Sequence, residues 1–176
     1  VAVVNIAQVI PLDAQHEFVG TFLGLLNPYA ILVGALTVAL FMMHGAIYLS
    51  LKTEGALHDR VRWWVNRTII GFVIIYGLTT LVTLLFIPQM AEPIQARPWL
   101  FVLPLAAMLA IANVPREIYY GRDLRAFFSS CFSVAALLGL FGMGIFPNLV
   151  ISIPNPEFSL TIYNAASSQK TLHIML

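Results

Sequence analysis

One imidazole, one phenol and one amine recur at one-turn spacing: His44, Tyr48 and Lys52. Side chains four apart on a helix share a face, so the three make one polar stripe. His44 lies 16 residues beyond Pro28, inside a run without Asp, Glu, Lys or Arg. At a helical rise of ~1.5 Å per residue that is roughly 24 Å from the start of the run. An imidazole at that depth could ligate haem iron, relay a proton or hydrogen-bond a quinone. The plainer alternative is a neutral histidine bonded to a neighbouring helix. Tyr48 sits one turn on and could share a network with it. Lys52 is one turn further and could snorkel its ammonium to the surface. The stripe therefore reads either as a proton inlet or as the solvated end of a helix. A bis-histidine haem would need a second histidine in another span. His16, His58 and His173 fall near or outside the span boundaries and supply none.

The elements that must hold this stripe are apolar runs. Residues 28–51, 68–87, 98–114 and 126–146 contain no Asp, Glu, Lys or Arg, and each is about 17 to 24 residues long. A hydrocarbon core of about 30 Å needs roughly 20 helical residues. In lipid only structures that satisfy their own backbone groups can cross, so these runs should be helices. The 176-residue chain is 60% hydrophobic and 10% charged, with mean hydropathy +0.88. A soluble domain carries about 25% charged residues. The sequence thus predicts an all-α integral membrane protein: a four-helix transmembrane bundle plus the start of a further helix.

Charge distribution orients the bundle. Seven of the nine Lys and Arg residues lie in 52–67 or 115–125. By the positive-inside rule both loops are cytoplasmic, which places 1–27, 88–97 and 147–170 outside. Four crossings require that alternation. Tyr29 and Trp99 fall at the outer boundary, and Tyr48, Trp63, Trp64, Tyr119 and Tyr120 at the inner one, as an aromatic belt does. A net charge of +1 gives no case for nucleic acid. The single Cys131 excludes an intrachain disulfide and a cysteine-rich metal site.

Local signals set the boundaries. Asn27-Pro28 opens helix one, since Asn caps and Pro fits the first turn. Gly55 suits a left-handed cap beyond it. Helix two is predicted over 59–87, helix three from Pro98 to a stop or kink at Pro115 or a later stop at Gly121, and helix four over 123–146. Small residues at Ala135, Gly139 and Gly142 permit close helix packing. Asn113 is polar near the inner end of helix three, and Ser129, Ser130 and Ser133 can bond within helix four. Domain boundaries follow: 1–27 is the end of a preceding span and an outer loop, 28–146 the bundle, and 147–176 an outer loop and the start of a truncated last span. The sequence predicts a piece of a longer chain. No P-loop, zinc spacing or nucleophile elbow is present, and no carboxylate is expected to be buried in the four helices.

Two motifs then point to a family. Asn27-Pro28-Tyr29-Ala30 leads into His44-Gly45-Ala46-Ile47-Tyr48-Leu49 and Lys52-Thr53-Glu54-Gly55. This pattern resembles subunit II of the bacterial cytochrome bd quinol oxidases. The stretch Asn164-Ala165-Ala166-Ser167-Ser168 to Thr171-Leu172 is similar to the entrance of that family's last span, and 11–22 to its outer loop between helical halves. The resemblance implies a second four-helix bundle of subunit II in the bacterial cytoplasmic membrane. It implies a partner subunit I that carries haem b and haem d, while this chain carries no haem. The complex would oxidise quinol, reduce oxygen to water and take protons from the cytoplasm. Membrane lipid is a further partner, a quinone can sit against this subunit in some members, and a small third subunit stays open. The family's proton-delivery residues belong to its first half and map to no position here, so no catalytic residue is assigned. His44, Tyr48 and Lys52 remain a candidate polar network. The competing expectation is one repeat of a secondary transporter, to be told apart by a buried carboxylate or by helices broken at mid-depth. A purely structural subunit of another complex would share the hydropathy and lack the motifs.

Overall fold

The computed structural model describes residues 26–87, 97–150, 152–153 and 159–166, with isolated positions elsewhere. Four long helices follow in chain order: α1 (Pro28–Lys52), α2 (Gly55–Phe86), α3 (Val102–Tyr119) and α4 (Asp123–Ile145). A short 3-10 turn, Pro98–Phe101, runs into α3. With that turn included, all four are long and apolar enough to cross a bilayer. The protein is an all-α, multi-pass membrane protein.

The chain forms two compact units, Ile31–Gly144 and Val1–Ala30 with Ile145–Leu176. In the first, all four helices meet in one apolar core. Leu40, Met43 and Ile47 of α1 face Val65, Ile69 and Phe72 of α2, Ile111, Val114 and Ile118 of α3, and Ala126 of α4. Their spacing of three and four residues is one helical face. The opposite faces are also apolar: Phe41, Leu49, Ile74, Leu85, Met108 and Leu138 are exposed. A helix apolar all round belongs in a membrane, where lipid, not water, meets the outer face.

Local chemistry explains the ends. Asn27 Oδ1 accepts the Ala30 N–H at 2.8 Å, which is the capping bond expected of Asn27-Pro28. The segment 52–67 is mostly helix: α2 begins at Gly55, four residues before the start at 59 that the sequence predicts. Only Thr53 and Glu54 separate α1 from α2. Gly55, at φ +62°, turns the chain at once, and the good helix formers after it carry α2 on through its charged part. α2 is 32 residues long, so at ~1.5 Å per residue it extends about 48 Å, well past the hydrocarbon core. α3 likewise runs through Pro115 to Tyr119, although the ring removes one helical bond. It stops in a Schellman cap: Gly121 (φ +69°) donates to Ile118 O at 3.1 Å and Arg122 to Glu117 O at 2.9 Å. α4 ends one residue before the cis Phe146–Pro147 bond.

The second unit contains two small β pairings that hydropathy does not foretell. β1 (Ile10–Pro11) pairs in parallel with β3 (Ser152–Ile153), and β2 (Asn148–Val150) pairs antiparallel with β4 (Leu160–Thr161). Asn27 Nδ2 donates to Asn5 Oδ1 at 2.7 Å. The rest of the expected earlier span over 1–10, the loop at 88–96 and most of the expected last-span start at 167–176 lie outside the described residues.

Candidate functional site

α4 holds His44. Its Nδ1 lies 2.9 Å from Ser130 Oγ, and that hydroxyl lies 2.7 Å from the Phe127 carbonyl oxygen. A hydroxyl has one proton. Donated to Phe127, it leaves Ser130 Oγ as an acceptor, so His44 Nδ1–H is the donor and Nε2 carries the lone pair. The imidazole stacks on the Phe127 ring at 5.2 Å and 29°. Ser130 is fully buried and His44 half-buried. Chemically, this leaves His44 as a fixed interhelical tie with one nitrogen still able to accept a hydrogen bond.

Tyr48 is exposed, and its ring meets Phe127 at 5.8 Å. Lys52 is exposed at the last residue of α1. Among the described residues no hydrogen bond joins His44, Tyr48 and Lys52. What His44 and Tyr48 share is contact with the Phe127 ring, while His44 takes its polar partner from α4.

A second polar group gathers at the end of the bundle where α1 meets α2 and α3 meets α4. Ser50 Oγ donates to Asp123 Oδ2 at 3.1 Å. His58 Nδ1 lies 3.0 Å from the Ser50 carbonyl oxygen, which can only accept, so this nitrogen also carries a proton. His58 Nε2 is 3.7 Å from Asp123 Oδ2. One carboxylate thus ties the end of α1, the first turn of α2 and the start of α4. Asp123 also stands at a helix N-terminus, where negative charge is favoured. Arg62 of α2 donates to the Ile118 carbonyl oxygen at the end of α3. Asn113 Nδ2 donates to Ser129 Oγ at 2.8 Å, joining α3 to α4.

Glu117 corrects an expectation. It lies inside α3 and is only 4% exposed, so one carboxylate is buried in the helices after all. The reason is the extension of α3 past Pro115, which carries a polar turn under the α3–α4 cap. Arg116 Nη1 and Arg122 Nη1 stand 3.7 Å and 3.8 Å from its two oxygens. This is the last turn of the helix, flanked by cations, not a mid-depth site, so it does not revive the transporter alternative. In the sequence Glu117 looks like one more charge in a basic loop, and only the cap at Gly121 shows that it folds inward.

Two signals could have found the tie to His44: a serine on the inner face of helix four, and a hydroxyl that already bonds its own helix and so can accept. Among the described residues no group of three or more His, Cys, Asp or Glu side chains is arranged to hold a metal ion.

Comparison with known proteins supplies the family. The family model for cytochrome bd terminal oxidase subunit II matches residues 1–176. The chain is 29% identical to a probable cytochrome oxidase subunit 2 of Haemophilus influenzae, with 100% of this chain and 54% of the relative covered. It is 27% identical to the cytochrome bd-I ubiquinol oxidase subunit 2 of Escherichia coli strain K12, covering 99% of this chain and 54% of the relative. It is 24% identical to the cytochrome bd ubiquinol oxidase subunit 2 of Bacillus subtilis, covering 94% and 48%. The chain spans about half the length of the curated relatives it matches. Four membrane-crossing helices, a capped Asn27-Pro28 entrance and a family match from end to end agree, and the chain belongs to the cytochrome bd terminal oxidase subunit II family.

Proposed function

We propose that this chain is the C-terminal half of the non-haem membrane subunit of a cytochrome bd-type quinol oxidase. Its complex oxidises quinol and reduces oxygen to water, with haem b and haem d carried by the partner subunit I. The observation that carries this reading is the family match over residues 1–176. The relatives from E. coli and B. subtilis are named as ubiquinol oxidase subunits, which supports quinol as the electron donor.

The part assigned to this chain is physical. Residues 28–146 serve as a low-dielectric wall beside subunit I, with 1–27 as the end of a preceding span and an outer loop, and 147–176 as an outer loop and the start of a last span. The exposed apolar faces of α1 to α4 suit both lipid and a large apolar subunit interface. His44, Tyr48 and Lys52 act here as a structural stripe: His44 fastens α1 to α4, Tyr48 caps Phe127, and Lys52 reaches the headgroups. The membrane is the bacterial cytoplasmic membrane, with 52–67 and 115–125 on the cytoplasmic side. A small third subunit and a quinone against this chain are compatible with the reading.

The test is a dithionite-reduced minus air-oxidised visible spectrum of material purified through a tag on the full-length protein. Haem b and haem d bands in the eluate, together with quinol-dependent oxygen uptake, are the expected result. A stable, colourless eluate would overturn the reading.

A further inference from the structure

We propose that the guanidiniums of Arg116 and Arg122, at the turn between α3 and α4, bind the phosphate of an anionic phospholipid headgroup. The inference rests on the membrane spans and not on the oxidase reading.

The turn sorts its charges by sign. Segment 115–125 holds Arg116, Arg122 and Arg125 against Glu117 and Asp123. Both carboxylates face inward: the side chains of Glu117 and Asp123 are 5% and 14% exposed. Arg116 and Arg122 are 63% and 50% exposed, and Arg125 is exposed as well. The surface that meets the headgroups is therefore cationic, although the segment is nearly balanced in sequence.

Geometry pre-sets the two guanidiniums. Each stands beside a different oxygen of the same buried Glu117 carboxylate, and each overlooks the Tyr120 ring, at 6.0 Å for Arg116 and 5.4 Å for Arg122. Contacts of 3.7 Å and 3.8 Å are ion pairs but too long to be hydrogen bonds. Glu117 thus aims both cations without using up their N–H donors. Arg116 gives one donor to Asn113 Oδ1 at 3.2 Å. A guanidinium has five donors, and its fork matches phosphate oxygens in pairs. Tyr119 and Tyr120 are exposed beside it, as rings at headgroup level are. A diester phosphate, held at the membrane surface by its own acyl chains, fits a site with two preset cations at the end of two apolar spans.

The test reconstitutes the full-length protein, in the assembly it occupies in the membrane, into nanodiscs of equimolar phosphatidylglycerol and phosphatidylcholine. The ratio of the two lipids that stay with the protein after a detergent wash is read by mass spectrometry. Wild type should be enriched in phosphatidylglycerol. Arg116→Gln and Arg122→Gln should each lower that enrichment about fivefold, while Arg97→Gln, beyond the opposite end of α3, should leave it unchanged. Equal lipid ratios in wild type would overturn the proposal, and that arm needs no variant to fold. Unchanged enrichment in the double variant would overturn it too. So would loss of a protein partner from the double variant with no change in lipid, which would make this a protein contact. Displacement of phosphatidylglycerol from wild type by inorganic phosphate in the wash would show a free-anion site and overturn the lipid assignment.

Discussion

A single buried hydroxyl decides what His44 can do. Because the Ser130 proton goes to the Phe127 carbonyl, the His44 ring is fixed as the Nδ1–H tautomer and clamped on the Phe127 face. Lipid-facing helices gain no hydrophobic free energy by associating, so packing and interhelical hydrogen bonds must hold α1 to α4. Ser130→Ala is expected to cost about 0.6 kcal/mol, the usual worth of one such bond in a membrane. Reversible unfolding of the full-length protein in mixed micelles measures it. His44→Ala removes the bond and the stacked ring together. It should lower the yield of assembled complex more than turnover per haem. Normal assembly with a large loss of turnover would instead make His44 part of the chemistry. The position of His44 was legible in the sequence, because a lone imidazole within an apolar run stands out. Its partner was not singled out, because Ser129, Ser130 and Ser133 crowd one stretch of helix four and each can bond its own backbone, so only its place on the inner face marks Ser130.

The helices were legible for a different reason: lipid forces apolar runs into helices, so hydropathy and the Asn27-Pro28 cap give α1 and α4 nearly to the residue. Where charge begins, that logic ends. The sequence opens helix two at residue 59 and leaves helix three to stop at Pro115 or at Gly121, whereas α2 begins at Gly55 and α3 runs to Tyr119, because local propensity and a cap carry both helices past the bilayer edge. Gly121 is the pivot of the α3–α4 turn. Its φ of +69° is left-handed, and the nearest atom to an added Cβ would be Arg62 Nη1 at 3.8 Å. Space is therefore available, and the cost of Gly121→Ala is conformational alone, about 1–2 kcal/mol. Thermal unfolding of the assembled protein should show that loss. A larger loss, or detachment of the partner, would mean that something outside this chain packs on the turn. The same cap turns Glu117 inward, so the variant should also loosen Arg116 and Arg122 from their shared carboxylate.

For the molecule as a whole, the open quantity is which way it faces, and two exposed positions decide it. Residue 59 lies in the first turns of α2, and residue 97 lies just before the 3-10 turn that enters α3. Among the described residues α2 is the only long helix between them, so a crossing there puts them on opposite sides. The thiol within this chain is Cys131 of α4, which Cys131→Ala removes, and any other cysteine of the full-length protein is removed likewise. In that background Asp59→Cys should react with a membrane-impermeant maleimide only in inverted vesicles, and Arg97→Cys only in right-side-out cells. The two failures separate cleanly. Labelling of both from one side would mean that α2 does not cross, against its 32-residue length and its apolar course. Opposite-side labelling in the reverse sense would keep all four crossings and discard only the positive-inside assignment. The expected sense rests on the basic residues. That rule counts Lys and Arg near span ends, and seven of the nine in this chain lie in 52–67 or 115–125. With Glu117 and Asp123 folded inward, the exposed charge in 115–125 is cationic. An anionic cytoplasmic leaflet attracts that surface.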